Sequence, residues 1–118
     1  MSTPTLYGIA NCDTVKKARA WLQDADIDYG WVDYKKTPPT AALLQGWIGQ
    51  VGWETLVNKA GTTWRKLDDA AKAQVTDDAS AIALMLAQPS VIKRPVLDRG
   101  GKISIGFKPD TYQALFSK

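Results

Sequence analysis

The sequence contains no histidine and a single cysteine. Without histidine there is no Cys–His pair, no Ser–His–Asp triad and no histidine-ligated metal site. One cysteine cannot close an internal disulfide and is too few for a zinc site, so no metal is expected. Long apolar runs are also missing: no stretch approaches the roughly 18 residues that signal a membrane span. The opening Met1-Ser2-Thr3-Pro4 lacks the basic and apolar segments of a signal peptide, so a cytoplasmic protein without membrane association is expected. Charge of one sign is scarce too. Fifteen basic residues face twelve acidic ones, and the basic sites Lys16-Lys17-Arg19, Arg65-Lys66 and Lys93-Arg94 are dispersed. Nucleic-acid binders usually gather basic residues on one face, so no direct contact with nucleic acid is expected. Whatever chemistry remains must use Cys12, carboxylates, lysines, arginines or main-chain dipoles.

What is present is the composition of an ordinary globular domain. At 118 residues the chain is expected to form a single domain, 1–118, that buries roughly two-thirds of its extended surface and needs no staple. Thr5-Leu6-Tyr7-Gly8-Ile9 reads as a short strand between Pro4 and Asn11. From Asp13 the apolar residues Val15, Ala18, Leu22 and Ala25 recur at helical spacing, with Asp13 or Thr14 as the expected cap. Residues 27–34, aromatic and β-branched, read as a second strand, which completes a β-α-β unit.

Thr37-Pro38-Pro39 reads as a helix start leading into Leu43, Leu44, Trp47 and Ile48, with interruptions at Gly49 and Gly52. Short helices are expected over residues 53–57 and 67–75, and another capped by Asp77 or Asp78 and stopped by Pro89. Pro95-Val96-Leu97 and Ile103-Ser104-Ile105 flank Gly100-Gly101 as a β-hairpin, and Pro109-Asp110 opens a last helix. The order β-α-β, helical block, β-β, α predicts an α/β fold: a thioredoxin-like four-stranded mixed sheet with an inserted helical block.

A cysteine placed after the first strand and at the start of the first helix meets unpaired main-chain N–H groups. Those groups and the helix dipole favour the thiolate, which is the nucleophilic form. Lys16 and Lys17 add positive potential, while Asp13 acts the other way. A second constellation is Ile92-Lys93-Arg94-Pro95-Val96. It is either a strand start behind solvated basic residues, or a cis proline that presents the main chain of Arg94 while the guanidinium holds an anion. A third runs from Asn58 to Leu67, where Gly61 and polar neighbours form either a capped turn with Trp64 packed inward or the rim of a substrate entrance. The tryptophans at 21, 31, 47 and 53 read as core or groove walls.

At these places the sequence resembles the arsenate-reductase-like ArsC/Spx/YffB family, most of all its YffB branch, described as glutathione-dependent thiol reductases. The matching stretches are residues 7–18, opening on Tyr7-Gly8-Ile9-Ala10-Asn11-Cys12, then Tyr34-Lys35-Lys36-Thr37-Pro38-Pro39, residues 58–67 and residues 92–97. The resemblance implies Cys12 as the redox thiol and Arg94 before a cis Pro95. Arsenate reductases of the family hold their oxyanion with three arginines; here only Arg94 matches, with Asn58 and approximately Gly106 at the other two places. Spx-branch regulators carry Cys-x-x-Cys, whereas the fourth position here is Val15.

The missing second cysteine has a chemical consequence. A mixed disulfide on Cys12 has no partner in its own chain, so an outside thiol must resolve it. The resemblance therefore implies glutathione as co-substrate and a small thiol, disulfide or oxyanion as substrate. Cys12 is then the catalytic residue, with Arg94, Pro95, Asn11, Lys93 and Asn58 as substrate-binding candidates. The alternatives it implies are an arsenate reductase and an Spx-like non-catalytic regulator that contacts RNA polymerase.

Overall fold

The computed structural model describes residues 3–116. They divide into two compact units, one made of the chain up to Asp33 and from Arg94 onward, the other of Tyr34–Lys93. In the first, strand β1 (Thr5–Gly8) leads into helix α1 (Asp13–Asp24) and strand β2 (Gly30–Asp33). After the second unit the chain returns as β3 (Val96–Arg99), β4 (Lys102–Ile105) and a closing helix over Pro109–Phe116. The sheet order is β2-β1-β3-β4, with β2 parallel to β1 and the other pairs antiparallel. This is the expected thioredoxin-like plan, in which α1 makes the crossover that a parallel pair requires.

The sheet's register puts Leu6 opposite both Trp31 and Leu97, so these three side chains share one face. Ala18 and Leu22 of α1 and Tyr112 of the closing helix pack on Leu6 and Leu97, all five fully buried. Each buried leucine contributes about 1.5–3 kcal/mol, which is why the apolar spacing of α1 specifies its seat. Trp21, Phe107 and Phe116 surround Tyr112; the Trp21 and Phe107 rings meet it edge-on at centroid distances of 5.6 and 4.7 Å.

Strand β2 is shorter than expected. Ile27 donates its N–H to the carbonyl of Leu22 (2.9 Å) and Asp26 donates to Gln23 (3.1 Å), with Asp26 at φ 56°. That is a Schellman closure of α1: it uses a left-handed residue to satisfy the last helical carbonyls, and Ile27 belongs to it rather than to the strand. The hairpin is as expected. Gly100 and Gly101 both have positive φ, as a two-residue turn between right-twisted strands requires.

The inserted unit is helical: α2 (Ala41–Val51), α3 (Trp53–Leu56), α4 (Thr62–Arg65), α5 (Asp69–Ala73) and α6 (Asp78–Ala87), then one 3-10 turn over Pro89–Val91. The closing helix Pro109–Phe116 is thus α7 in chain order. Several boundaries differ from the sequence reading: α3 stops at Leu56, α5 is shorter than residues 67–75, and α4 was not expected. Helix α2 is capped by Thr40, whose hydroxyl accepts from Leu43 N–H (3.2 Å), not by Thr37. A proline disfavours the α region for the residue before it, so Thr37 and Pro38 stay outside the helix, which waits until both prolines are passed. Gly49 lies inside α2, and the helix ends only at Gly52, where φ is 83°. Helix α6 is closed at its start by a reciprocal Asp77–Ser80 capping box. Leu44, Trp47, Ile48, Leu56, Ala81, Ile82 and Met85 are the buried residues of these helices.

Tyr112 provides a test of the sheet unit's core. Its ring is fully buried and its hydroxyl has no hydrogen-bond partner among the described residues. Burial pushes the phenol far above its ordinary value of 10.0, so the fold stabilises the neutral form. That contribution is complete below pH 10 and declines as pH rises beyond it. Tyr112→Phe is therefore expected to leave the urea midpoint at pH 7 unchanged or raised, and to flatten the loss of stability above pH 10. A destabilisation of more than about 1 kcal/mol at pH 7 contradicts this.

Candidate functional site

The strand-to-helix turn after β1 occupies four residues. Ile9 is buried, Ala10 and Asn11 are exposed, and Cys12 takes the N-cap position of α1 with extended backbone angles, φ −138° and ψ 125°. Its carbonyl accepts the first intrahelical bond, from Lys16 N–H at 2.9 Å. Asp13 and Thr14, the caps expected from residue type, lie inside the first turn instead, and no side chain caps the helix. The N–H groups that begin α1 therefore have no intrahelical partner, and a partly exposed free thiol stands at their end. A helix of twelve residues has the positive end of its dipole at this residue.

Two contacts settle where this turn lies. A methyl group on Gly8 would meet Val15 Cγ2 at 2.8 Å and Trp31 Cη2 at 3.6 Å, so the missing side chain lets α1 close onto the end of β1. On the other side of the turn, Ala10 donates its main-chain N–H to Asp33 Oδ2 at 3.3 Å. Asp33 is the last residue of β2, paired in register with Gly8. The side chain at the end of the edge strand thus holds the loop leaving its neighbour. Residue types alone do not single out Asp33, because an aspartate ending a strand is ordinarily a solvated turn residue.

Arg94 and Pro95 come to the same end of the sheet. The antiparallel register pairs Tyr7 with Val96, so the residues before Val96 lie beside the end of β1 from which the Cys12 turn departs. The Arg94–Pro95 bond is cis, as the resemblance implies. Pro95 is buried, its carbonyl accepts Gly106 N–H at 2.8 Å, and Arg94 is half-buried. Gly106 has φ 81°, a conformation an arginine would enter only with strain. Asn11, Cys12, Arg94 and Pro95 are therefore gathered at one end of one sheet.

Asn58 and Lys93 belong to the helical unit. Val57 and Ile92 form an isolated antiparallel bridge, flanked by Asn58 N–H to Val91 (2.8 Å) and Lys93 N–H to Leu56 (2.7 Å). The side-chain oxygen of Asn58 accepts Ala60 N–H at 3.2 Å, so the segment begins as the capped turn that was one of its two readings. It then forms α4, and Lys59 lies over the rings of Trp53 and Trp64 at 5.4 and 5.5 Å. Trp47 is in the core and Trp21 packs on Tyr112, whereas Trp31 lies under the Arg19 guanidinium at 4.4 Å.

Residues 7–115 match the ArsC family. The chain belongs to the ArsC family. It is similar to a solved YffB protein, with 53% identity, a TM-score of 0.92 and coverage of 98% of this chain and 100% of that one. A protein of Haemophilus influenzae is 43% identical over 96% of this chain and 98% of its own length. More distant are an arsenate reductase of Rhizobium meliloti, 28% identical over 98% and 89%, and the global transcriptional regulator Spx of Streptococcus pyogenes, 26% identical over 97% and 85%.

As an ArsC-family member the chain is a thiol-reductase-like protein of oxidoreductase kind. Its geometry suits such chemistry: a partly exposed cysteine at a helix start and an arginine at the same sheet end. Among the described residues, no three His, Cys, Asp or Glu side chains gather to hold a metal ion, and no helix is long and apolar enough to cross a membrane.

The Gly8–Val15 approach makes the placement of Cys12 testable. Valine is stiff at χ1 and cannot swing its methyl aside without an off-rotamer penalty. Gly8→Ala is expected to destabilise the protein by about 1–3 kcal/mol in urea unfolding. Adding Val15→Ala is expected to recover part of that loss, giving a coupling between the two sites. Independent, additive effects would mean that this contact does not set the helix position.

Proposed function

We propose that this protein is a glutathione-dependent thiol reductase that works through one cysteine. The observation that carries the reading is Cys12, the sole cysteine, at the uncapped start of α1 and at the sheet end that also carries Arg94. The Cys12 thiolate attacks the glutathionyl sulfur of a mixed disulfide, the old S–S bond breaks, and the substrate leaves as a thiolate that takes up a proton. A second glutathione, as thiolate, attacks the glutathionyl sulfur now on Cys12. Oxidised glutathione leaves and Cys12 returns to its thiolate. One disulfide is reduced and two glutathione moieties end oxidised, so the cycle closes without a second protein thiol.

In this reading the Arg94 guanidinium holds a carboxylate of glutathione, and the main chain at Arg94 and Pro95 aligns the tripeptide. Asn11 positions it beside Cys12. Arsenate is the weaker candidate substrate. Charge-assisted bonds from arginine are worth about 1.5–3 kcal/mol each, and two of the three family arginine positions are Asn58 and, approximately, Gly106. The likeness to Spx supports a second, non-catalytic reading in which the fold contacts RNA polymerase.

Calorimetric titration of glutathione into Cys12→Ser, with and without Arg94→Ala, tests the binding half. Glutathione is expected to bind the Cys12→Ser protein and to bind at least about tenfold more weakly once Arg94 is removed. Equal binding without Arg94 contradicts the site. In the coupled assay Cys12→Ser is expected to be inactive, and arsenate turnover in the parent to be orders of magnitude below disulfide turnover. A parent that binds no glutathione and turns over no disulfide favours the regulator reading.

A further inference from the structure

We propose that Asp33 is a positioning residue for the Cys12 nucleophile, acting through the main chain of Ala10; the proposal rests on the reading of Cys12 as the reacting thiol. The β1–β2 ladder ends at the Gly8–Asp33 pair, and the chain must still travel through Ile9, Ala10 and Asn11 before it reaches the thiol. Over that span Ile9 is an apolar anchor, 5% exposed, and the Ala10 N–H bond to the Asp33 carboxylate is the polar one. Ala10 and Asn11 are exposed, and Cys12 makes no capping bond of its own.

The sulfur's place relative to the first N–H groups of α1 is therefore set from behind, by the peptide that Asp33 holds. The influence of a helix terminus fades within one turn, so a small displacement of the loop changes what the thiolate experiences. Displacements of about 1 Å cost up to a hundredfold in rate when they misalign reacting groups. A carboxylate suits this task better than a loop carbonyl would. It is carried on a strand fixed by its own ladder, and an ionised acceptor makes the stronger bond.

The experiment compares Asp33→Ala, which removes the acceptor, with Asp33→Asn, which keeps a side-chain oxygen on the same stem. Ala10→Pro deletes the donor while leaving Asp33 in place, and covers the case in which Asp33→Ala does not fold. Three readouts are used: hydrogen exchange of the Ala10 amide, the rate of Cys12 alkylation by iodoacetamide well below the melting temperature, and kcat against KM in the glutathione-coupled assay. Asp33→Ala is expected to speed Ala10 exchange and slow alkylation, each by about tenfold, and to lower kcat by a similar factor with KM for glutathione within twofold. Asp33→Asn is expected to recover most of each change.

A purely structural role would lower the melting temperature and leave the alkylation rate of the folded protein alone. Parental alkylation in Asp33→Ala, or an Asp33→Asn protein as slow as Asp33→Ala, overturns the proposal. Exchange and alkylation need no substrate. If the parent fails to turn over glutathione while these two readouts respond as expected, the glutathione reading falls and the positioning role stands.

Discussion

The close approach of Val15 to the bare backbone of Gly8 is the constraint on which the sheet unit's architecture and chemistry depend. A strand and a helix joined by four residues must fold back at once, and here they do so where Gly8 lacks a side chain. With Val15 seated there, Ala18 and Leu22 follow at helical spacing onto Leu6 and Leu97, and the core closes under Tyr112. The same seat makes Cys12 the first residue outside the helix. The Gly8–Val15 contact thus sets the packing of α1 and the point at which the helix starts.

A lone thiol at such a position limits the chemistry more than it enables it. Cys12 can attack a disulfide sulfur, but it cannot resolve the product, because the chain offers no second cysteine and no histidine to act as a base. The second step must come from solution. That division of labour fits a site with an arginine at the same end of the sheet.

Elements specified by local chemistry were legible in the sequence. Alternating apolar residues around Gly100-Gly101 identify the hairpin, and the spacing of Val15, Ala18 and Leu22 identifies α1, because each is decided within a few residues. The boundaries were not. Asp13 and Thr14 are good capping types, yet the cap is Cys12, since the position of Val15 against Gly8 outweighs a capping preference of about 1 kcal/mol. Ile27 has a strand-like side chain but closes α1, and Thr37 yields to Thr40 because of the two prolines between them. As candidates, Cys12, Arg94 and Pro95 were legible in the sequence, Cys12 by its residue type and place and Arg94-Pro95 by the family resemblance. Asp33 was not, because its contact with Ala10 bridges 23 positions and exists only once the parallel ladder is in register.

The central claim is that Cys12 exchanges with glutathione and is released by it without a second protein thiol. Intact-mass spectrometry of the protein treated with oxidised glutathione, then chased with reduced glutathione at increasing concentration, measures both steps. One glutathione adduct, absent in Cys12→Ser and discharged at a rate proportional to the chasing thiol, is the result the account predicts. A protein that acquires no adduct, or holds one that reduced glutathione does not remove, contradicts it.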